Sequence, residues 1–343
     1  MVNEEPDWKA EFFRLLLSKP NDAKRAFELK QLNLHSPLYR YRSIKNEENK
    51  PRFVWLTHSI TKGHLHCLHP KLLWSADPFD TRSVLSSKRA SDYLSKEWLA
   101  HYSDQEPIKS FMEQFDLTRA LETEDPLGAL WQSSVEESIR QGYLSEPAQA
   151  LTFPDVNKLL MSQIENTNDN FNKLLQMTRI ACFSEVKDSL AMWLHYADKH
   201  EGVCLEYDVK QIDNPIALFS LFPVNYSNPA DAVKIKYGRP GTFSRMEWIG
   251  YVLYSCTQKY DCWAYEKEWR FVMTPWSNAK PAYLNENVVT ITFHKPSKII
   301  LGALMSDDQQ ENIIKLANAI SPEIIVTKMR ITPYGLEESG ALN

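Results

Sequence analysis

A chain of 343 residues with 43% hydrophobic and 24% charged residues is long enough for one large domain or two smaller ones, and its composition is typical of a globular protein. The net charge of −5 argues against a general attraction to nucleic acid or anionic membranes, although it is compatible with a local basic groove. No apolar run approaches a membrane span, the acidic start lacks a signal core, and the five cysteines form no CxxC pair. These features predict a cytoplasmic protein with reduced thiols.

The N-terminal part of the chain predicts helices followed by a strand. Helical periodicity over Asp7–Leu34, interrupted by a proline, predicts a helical segment at residues 1–35. Leu38–Ile44 then alternates in the manner of a strand. Because successive strand residues point to opposite faces, Arg40 and Arg42 are expected on one face and the intervening tyrosines on the other.

The middle of the chain changes character. An extended region from His64 to Ser75 leads into the turn Asp77–Asp80. Residues 86–177 are charged, contain amphipathic stretches and show almost no strand pattern, which predicts inserted helices that form a lid or bind a protein partner. Strand patterns resume at Thr178 and continue, with a helix at Ser306–Ile320, to a last strand near residue 327.

Together these elements predict an α+β fold. Residues 36–82 and 178–330 are expected to form a mixed, mainly antiparallel sheet core, and residues 86–177 a large helical insertion. We interpret residues 1–343 as a single domain.

The densest polar stretch is Cys182–Asp208. A predicted strand ends at Ser184 and Glu185, and Asp188 is expected to cap a helix over Ser189–Lys199. The first turn of a helix offers free N–H groups and the positive end of the helix dipole, which suit a phosphate or a carboxylate. His195 and the following His200 are five residues apart, which favours a structural or ligand-orienting role for them.

A second dense stretch, Tyr265–Arg270, reads YEKEWR. On a strand, Glu266, Glu268 and Arg270 share one face. That face is either the solvated side of an edge strand carrying salt bridges or a carboxylate pair in a cleft. Two further carboxylates, Asp77 and Asp80, are either cleft residues or turn formers.

Other motifs that mark common binding and catalytic sites are incomplete or absent. His64, His66 and His69 surround Cys67, but no matching Cys/His pair lies elsewhere at ligand spacing, so we predict a polar strand edge and no metal site. The chain lacks GxGxxG, Walker and GxSxG motifs, which leaves Rossmann, P-loop and α/β-hydrolase folds unsupported.

Four motifs carry a resemblance to a known family. They are LYRYRS (Leu38–Ser43), WSADPFD (Trp74–Asp80), the CFSE to CLEYD block (Cys182–Asp208) and WAYEKEWR (Trp263–Arg270). In this order they resemble the bacterial family known as domain of unknown function 2971. The resemblance extends from Leu38 to Thr327, and the family implies no particular activity.

The chain is also similar in layout to the Arg-Ser-Glu class of ADP-ribosyltransferases. That class carries an arginine on an early strand, a strand ending in serine and a later Glu-x-Glu. The resemblance implies NAD as a substrate, with Arg40 or Arg42 holding its phosphates and with His195 and Tyr196 as further contacts.

The same resemblance implies the catalytic roles. Ser184 would support the site, and Glu268 would bond the nicotinamide ribose and stabilise an oxocarbenium-like transition state. Glu266 would position or activate the acceptor nucleophile. The hypothesis requires Arg42, Ser184 and Glu268 to converge on one cleft.

We favour an NAD-dependent ADP-ribosyltransferase or NAD glycohydrolase, acting as a bacterial toxin or phage-defence effector. One alternative is a metal-dependent hydrolase or nuclease; another is a non-enzymatic sensor that binds a phosphorylated ligand. The hydrolase alternative would hold a divalent ion with His195 and four carboxylates, namely Asp77, Asp80, Glu185 and Glu266. Arg270 is a further cleft candidate.

Overall fold

The computed structural model describes residues 7–17, 22–46, 51–73, 77, 80–81, 122, 126–145, 162, 166, 169–227, 245–274, 281–284 and 287–343. The chain divides into two compact units. The first comprises Met1–Arg82, Leu174–Pro229 and Met246–Asn343, and the second Ser83–Lys173 and Ala230–Arg245. Most of the predicted insertion at 86–177 lies outside the described residues, so its helical character and the single-domain organisation stay predictions.

Helices of the first unit surround a large sheet. They are α1 (Trp8–Leu16), α2 (Asp22–Leu32), α3 (Arg52–Lys62), α5 (Leu190–Tyr196), α6 (Pro215–Phe219), α7 (Arg245–Cys256) and α8 (Asp307–Ile320), while α4 (Pro126–Arg140) belongs to the second unit. Side-chain caps fix several of their starts: Asp7 accepts from the Lys9 N–H and Ser306 from the Gln309 N–H. No helix in the described ranges is long and apolar enough to cross a bilayer.

Strands occur in the regions predicted for them, but the last predicted strand continues to Thr332 and a further strand follows it. They are β1 (Leu38–Arg42), β2 (His64–Leu68), β3 (Arg179–Ser184), β4 (Val203–Tyr207), β5 (Leu221–Pro223), β6 (Asn225–Ser227), β7 (Gln258–Tyr260), β8 (Glu268–Met273), β9 (Pro281–Leu284), β10 (Val288–Thr292), β11 (Lys298–Leu301), β12 (Ile325–Thr332) and β13 (Gly335–Glu338). The main sheet runs β13-β12-β11-β4-β1-β3-β2-β10-β9, with β8 between β3 and β5. The β11–β12 pair is parallel and the other pairs of this sheet are antiparallel, which confirms the predicted α+β class.

Alternation along β1 separates two hydrophobic clusters. Leu38 points to the larger one, where it joins Phe183 and Trp269 from the neighbouring strands. The tyrosines at 39 and 41 point to the opposite face, where Trp193 of α5 packs. The ring of Tyr41 meets that of Trp193 edge to face at 5.2 Å, so α5 is fixed on this face of the sheet.

Helix α5 differs from its prediction in three respects. Ser189, not Asp188, is its N-cap, and it ends at Tyr196 because left-handed backbone follows at residues 198–200. The spacing of Leu190, Trp193, Leu194 and Ala197 predicts one apolar face for this helix. Trp193 and Ala197 are buried, but Leu190 and Leu194 are exposed. The helix therefore presents part of its apolar surface away from the core.

The sheet contains a gap beside β3. One edge of β3 pairs with β8 along its full length. On the other edge, β1 reaches β3 only at Tyr39–Ser184, and β2 only at Leu68–Ile180. The two neighbours meet β3 at opposite ends, and between those points Arg40 donates through Nη2 to the His66 carbonyl at 2.7 Å. A side chain thus replaces part of the missing backbone ladder.

A buried lysine joins α2 to α6. Lys30 is 0% exposed, and its ammonium donates to the carbonyls of Leu218, Phe219 and Leu221 at 2.7–3.1 Å. Three phenylalanine rings surround it, the nearest being that of Phe222 at 4.5 Å. Burial lowers the pKa of Lys30 to about 7.

This lysine should make stability depend on pH. Between about pH 7 and its ordinary pKa of 10.5, the unfolded chain binds more protons than the folded chain. The free energy of unfolding therefore rises with pH in this window, by at most about 1.4 kcal/mol per pH unit. We expect Lys30→Met to remove this rise in urea denaturation series. Equal slopes in the two proteins would contradict the assignment.

Candidate functional site

A cavity of about 510 Å³ opens in the gap beside β3. Strand β3 forms its floor. Strand β1 and α3, with Arg40, Arg42 and Arg52, form one wall, the arginine wall, and the end of α5, Asp77, Asp80 and the segment around β7 form the others. Its charged lining residues are Arg40, Arg42, Arg52, Asp77, Asp80, Asp198, Lys199, Lys259, Glu266 and Glu268. Its size is that of a small-molecule site.

Arg270 organises the carboxylates beneath one end of the cavity. It is 0% exposed, and every N–H of its guanidinium has an acceptor. Nη1 and Nη2 donate to the two oxygens of Asp80 at 2.7 and 2.9 Å. Nε and Nη2 donate to the two oxygens of Glu268 at 2.9 and 3.0 Å, and Nη1 also reaches the Cys256 carbonyl. Arg270 therefore has no donor left for a ligand.

Lys259 joins the two glutamates from the other side. Its ammonium donates to Oε2 of Glu266 and, at 2.9 Å, to Oε2 of Glu268. The Tyr196 hydroxyl donates to Oε1 of Glu266 at 2.7 Å. With Asp80, three carboxylates face two cations, which gives this cluster a formal charge of −1 when all are ionised.

The two glutamates differ in electrostatics. Burial and the charge of Glu268 raise the pKa of Glu266 above its ordinary value, despite Lys259. Burial acts in the same direction on Glu268, but Arg270 and Lys259 outweigh it and lower the pKa of that carboxyl. Glu268 is thus the fixed anion of the pair, and Glu266 is the carboxyl that takes up a proton more readily.

A backbone turn and a buried serine place Glu266. Lys267 adopts a left-handed conformation, with φ 44°, between a short 3-10 helix that ends at Glu266 and the start of β8. Ser184 is fully buried, donates to the Glu266 carbonyl at 2.6 Å and accepts from the Val186 N–H. Ser184 therefore holds the backbone of Glu266 and does not line the cavity. Of the three residues that the ADP-ribosyltransferase hypothesis requires in one cleft, only Arg42 and Glu268 lie there.

The opposite wall is cationic. Arg40 lies over the Phe183 ring and Arg42 over the Trp55 ring, each at 5.6 Å. Burial, together with the charges of Arg40 and Arg52, lowers the pKa of Arg42. No carboxylate among the described residues pairs with Arg42. An anion entering the cavity would offset this repulsion.

Aromatic side chains form part of the rim. The exposed ring of His195 lies 6.3 Å from that of Tyr196 and 6.4 Å from that of Trp263. Trp263 in turn lies beneath the Lys259 ammonium, at 5.1 Å. These rings offer flat surfaces next to Lys259 and the two glutamates that it binds.

The structure brings most of the predicted site residues together. Arg40, Arg42, Asp77, Asp80, His195, Tyr196, Glu266 and Glu268 all line the cavity. Three do not: Ser184 and Arg270 lie beneath it, and Glu185 accepts from the Trp269 indole N–H at 2.7 Å and from Lys9. From the predicted Cys182–Asp208 stretch, the end of α5 lines the cavity, and the corner at Ser184–Asp188 does not.

Two strand interpretations also need correction. Strand β8 is not a solvated edge, since it lies between β3 and β5 and its charged side chains are buried. Strand β2 is not an edge either, because it lies between β3 and β10. Within the described part of the chain, no group of three or more His, Cys, Asp or Glu side chains is arranged to hold a metal ion.

Sequence reasoning missed several lining residues. Lys259, Arg52 and Trp263 were not predicted. One signal was available for Lys259, because buried carboxylates require a nearby cation and this lysine lies seven residues before Glu266. Nothing in the sequence pattern of α3 indicated that Arg52 would reach the same cavity.

Comparison with known proteins gives one match. Residues 192–271 match the family described as Protein of unknown function (DUF2971), which confirms the resemblance predicted from the motifs. The matched segment runs from the first half of α5 to β8 and contains Tyr196, Lys259, Glu266 and Glu268. No curated protein and no solved structure matches the chain.

Proposed function

We propose that the cavity binds a nucleotide-like ligand with phosphate groups, NAD being the candidate, and that the protein cleaves its nicotinamide–ribose bond. One observation carries this proposal: a single cavity has a partly buried arginine without a carboxylate partner among the described residues, Arg42, on one wall and a carboxylate pair on the other. Such a site suits a ligand with an anionic part and a reacting centre that develops positive charge.

The arginine wall supports the binding part. Arg42 lies on the aromatic face of Trp55 with no carboxylate partner among the described residues, so a phosphate would supply its counter-charge. Arg40 already donates through Nη2 to the His66 carbonyl, and its remaining donors lie at the same wall. Both arginines line the cavity, so we assign phosphate binding to them jointly.

The contacts of the glutamates favour Glu266 as the reacting carboxylate. As nicotinamide leaves with the electron pair of the C–N bond, positive charge develops on the ribose, and the Glu266 carboxylate would stabilise it. Water or an acceptor hydroxyl then bonds to the ribose carbon and loses its proton to Glu266 and finally to solvent. Glu268 accepts three bonds from two cations, Arg270 and Lys259, whereas Glu266 accepts from one cation, Lys259, and from the neutral Tyr196 hydroxyl. We therefore assign Glu268 a positioning role, which reverses the roles that the ADP-ribosyltransferase resemblance implies for the two glutamates.

The direct test is nicotinamide release. Purified protein mixed with NAD should liberate nicotinamide, with ADP-ribose as the product if water is the acceptor. Chromatography measures both, and labelled NAD detects transfer to a macromolecule. No release and no transfer would reject the enzymatic proposal.

A second function, ligand binding without turnover, is favoured by a specific observation. The buried carboxylates already have cationic partners in Lys259 and Arg270, as in a structural ion-pair network. A sensor would gain thermal stability with ADP-ribose yet release no nicotinamide from NAD. The same pairing argues against the metal-dependent alternative, whose distinguishing test is loss of activity with a chelator.

We also propose a cellular location and a biological role for this activity. The five cysteines are free thiols, which supports a cytoplasmic location. We propose a role as a bacterial toxin or phage-defence effector, with a macromolecule as one possible acceptor and residues 86–177 as a surface for a protein partner.

A further inference from the structure

A strained turn lies at the edge of the cavity. Asp198, Lys199 and His200 are consecutive residues with positive φ angles of 49°, 54° and 71°. Side chains with a Cβ disfavour this region of backbone space, and no glycine relieves the crowding here. Such conformations persist only where the surrounding structure enforces them, and they concentrate at functional sites.

The structure enforces the turn from two sides. The Asp198 carboxylate accepts from the Ser43 hydroxyl and from the N–H groups of Ile44 and Lys45, at 2.8 and 3.2 Å. On the other side, the His200 carbonyl accepts from the Leu304 N–H at 2.9 Å. Gly302 packs so close that a Cβ there would lie 2.1 Å from the His200 oxygen. The backbone of the turn therefore has little freedom to relax.

The turn delivers Lys199 to the cavity. Lys199 lines it, and within the described residues it makes no ion pair or hydrogen bond. Asp198 bonds Ser43, the residue after Arg42, so the turn is fastened beside the arginine wall. A long, flexible cation on a rigid backbone at this position extends the anion site toward solvent.

We propose that Lys199 is a ligand-binding residue that receives the second phosphate of a diphosphate ligand whose first phosphate lies on Arg42. This assignment rests on the anion site of the proposed function and narrows its ligand to molecules with a phosphoanhydride. The role of Lys199 does not depend on the glutamates or on cleavage of the nicotinamide–ribose bond.

The test compares binding of inorganic pyrophosphate and inorganic phosphate by calorimetry. The variant is Lys199→Asn, because asparagine tolerates the left-handed conformation. Lys45→Asn is the matched control, since Lys45 is an exposed lysine beside the same turn that pairs with Glu201 and does not line the cavity. Thermal unfolding confirms that each variant is folded.

The protein and its two variants are expected to differ in how tightly they bind pyrophosphate relative to phosphate. The unsubstituted protein should bind pyrophosphate about tenfold more tightly than phosphate, and Lys199→Asn should weaken pyrophosphate binding about tenfold while changing phosphate binding less than about twofold. Lys45→Asn should change neither. An equal loss for both anions, unchanged pyrophosphate binding, or no initial preference would overturn the proposal. If the preference holds but NAD releases no nicotinamide, the proposed reaction fails and the role of Lys199 stands.

Discussion

Replacing Glu266 by glutamine is expected to lower nicotinamide release from NAD by about 10²–10⁴-fold, the range for loss of a positioned acid–base group. Glutamine keeps the size of the side chain and can still accept from the Tyr196 hydroxyl. It carries no negative charge, however, so it cannot stabilise the positive ribose or take up a proton. Rates of release in single-turnover reactions measure the loss, and calorimetric binding of ADP-ribose shows that the cavity is intact.

Glu185→Gln is the matched control for this variant. Glu185 is also a partly buried glutamate, but it bonds Trp269 and Lys9 and does not line the cavity. Its replacement should change release less than about twofold, as for most sites away from the chemistry. Release by Glu266→Gln within tenfold of the unsubstituted rate would remove Glu266 from the proposed reaction.

The pH profile gives a second, independent readout of Glu266. Burial and the charge of Glu268 raise its pKa above the ordinary 4.5, and the ionised form is the reacting one. Release should therefore fall as pH decreases through this raised pKa, while the protein is still folded. An acid limb at or below pH 4.5 would indicate another group.

The largest expected effect on stability is that of Arg270→Met. The change removes one of two cations from a buried cluster with three carboxylates, which leaves a formal charge of −2. Removing one partner of a buried ion pair typically lowers the free energy of unfolding by about 3–5 kcal/mol. Urea denaturation measures this loss. Arg270→Lys should restore only part of the lost stability, because an ammonium cannot donate paired hydrogen bonds to each of two carboxylates.

Arg14→Met is the surface counterpart. Arg14 also bonds a carboxylate, that of Glu11, but 61% of its side chain is exposed. Because solvent screens this pair, its replacement should change stability far less than Arg270→Met does. A similar, small loss for Arg270→Met would mean that the buried cluster is not what joins β8 to the Asp80 turn.

Local patterns in the sequence were sufficient to predict most of the sheet. Alternation identified β1 with both arginines, and short apolar runs identified β3 and β4. These signals depend only on neighbouring residues. The Glu-x-Glu motif was also identified, although Glu266 precedes strand β8, and the left-handed Lys267 rather than strand alternation brings the two carboxylates together.

The rest of the site depends on contacts between distant segments. Helix α3 contains β-branched residues that weaken its helical pattern, and its inward-facing Trp55, Leu56 and Ile60 stabilise it through packing. The gap beside β3 results from the register of two neighbours, which no single segment specifies. Arg52, Lys259 and Lys199 reach the cavity only through these long-range arrangements.

The gap has a mechanical consequence. Five strands, from β13 to β1, connect with β3 through the single register pair Tyr39–Ser184, so this seam is one of two weak lines across the sheet, the other being the β2–β3 seam with its single pair Leu68–Ile180. Arg42 lies on one side of the seam and Glu266 on the other. A ligand that contacts both Arg42 and Glu266 would link the two sides of this seam. Its binding should therefore make the sheet more resistant to shear along the seam.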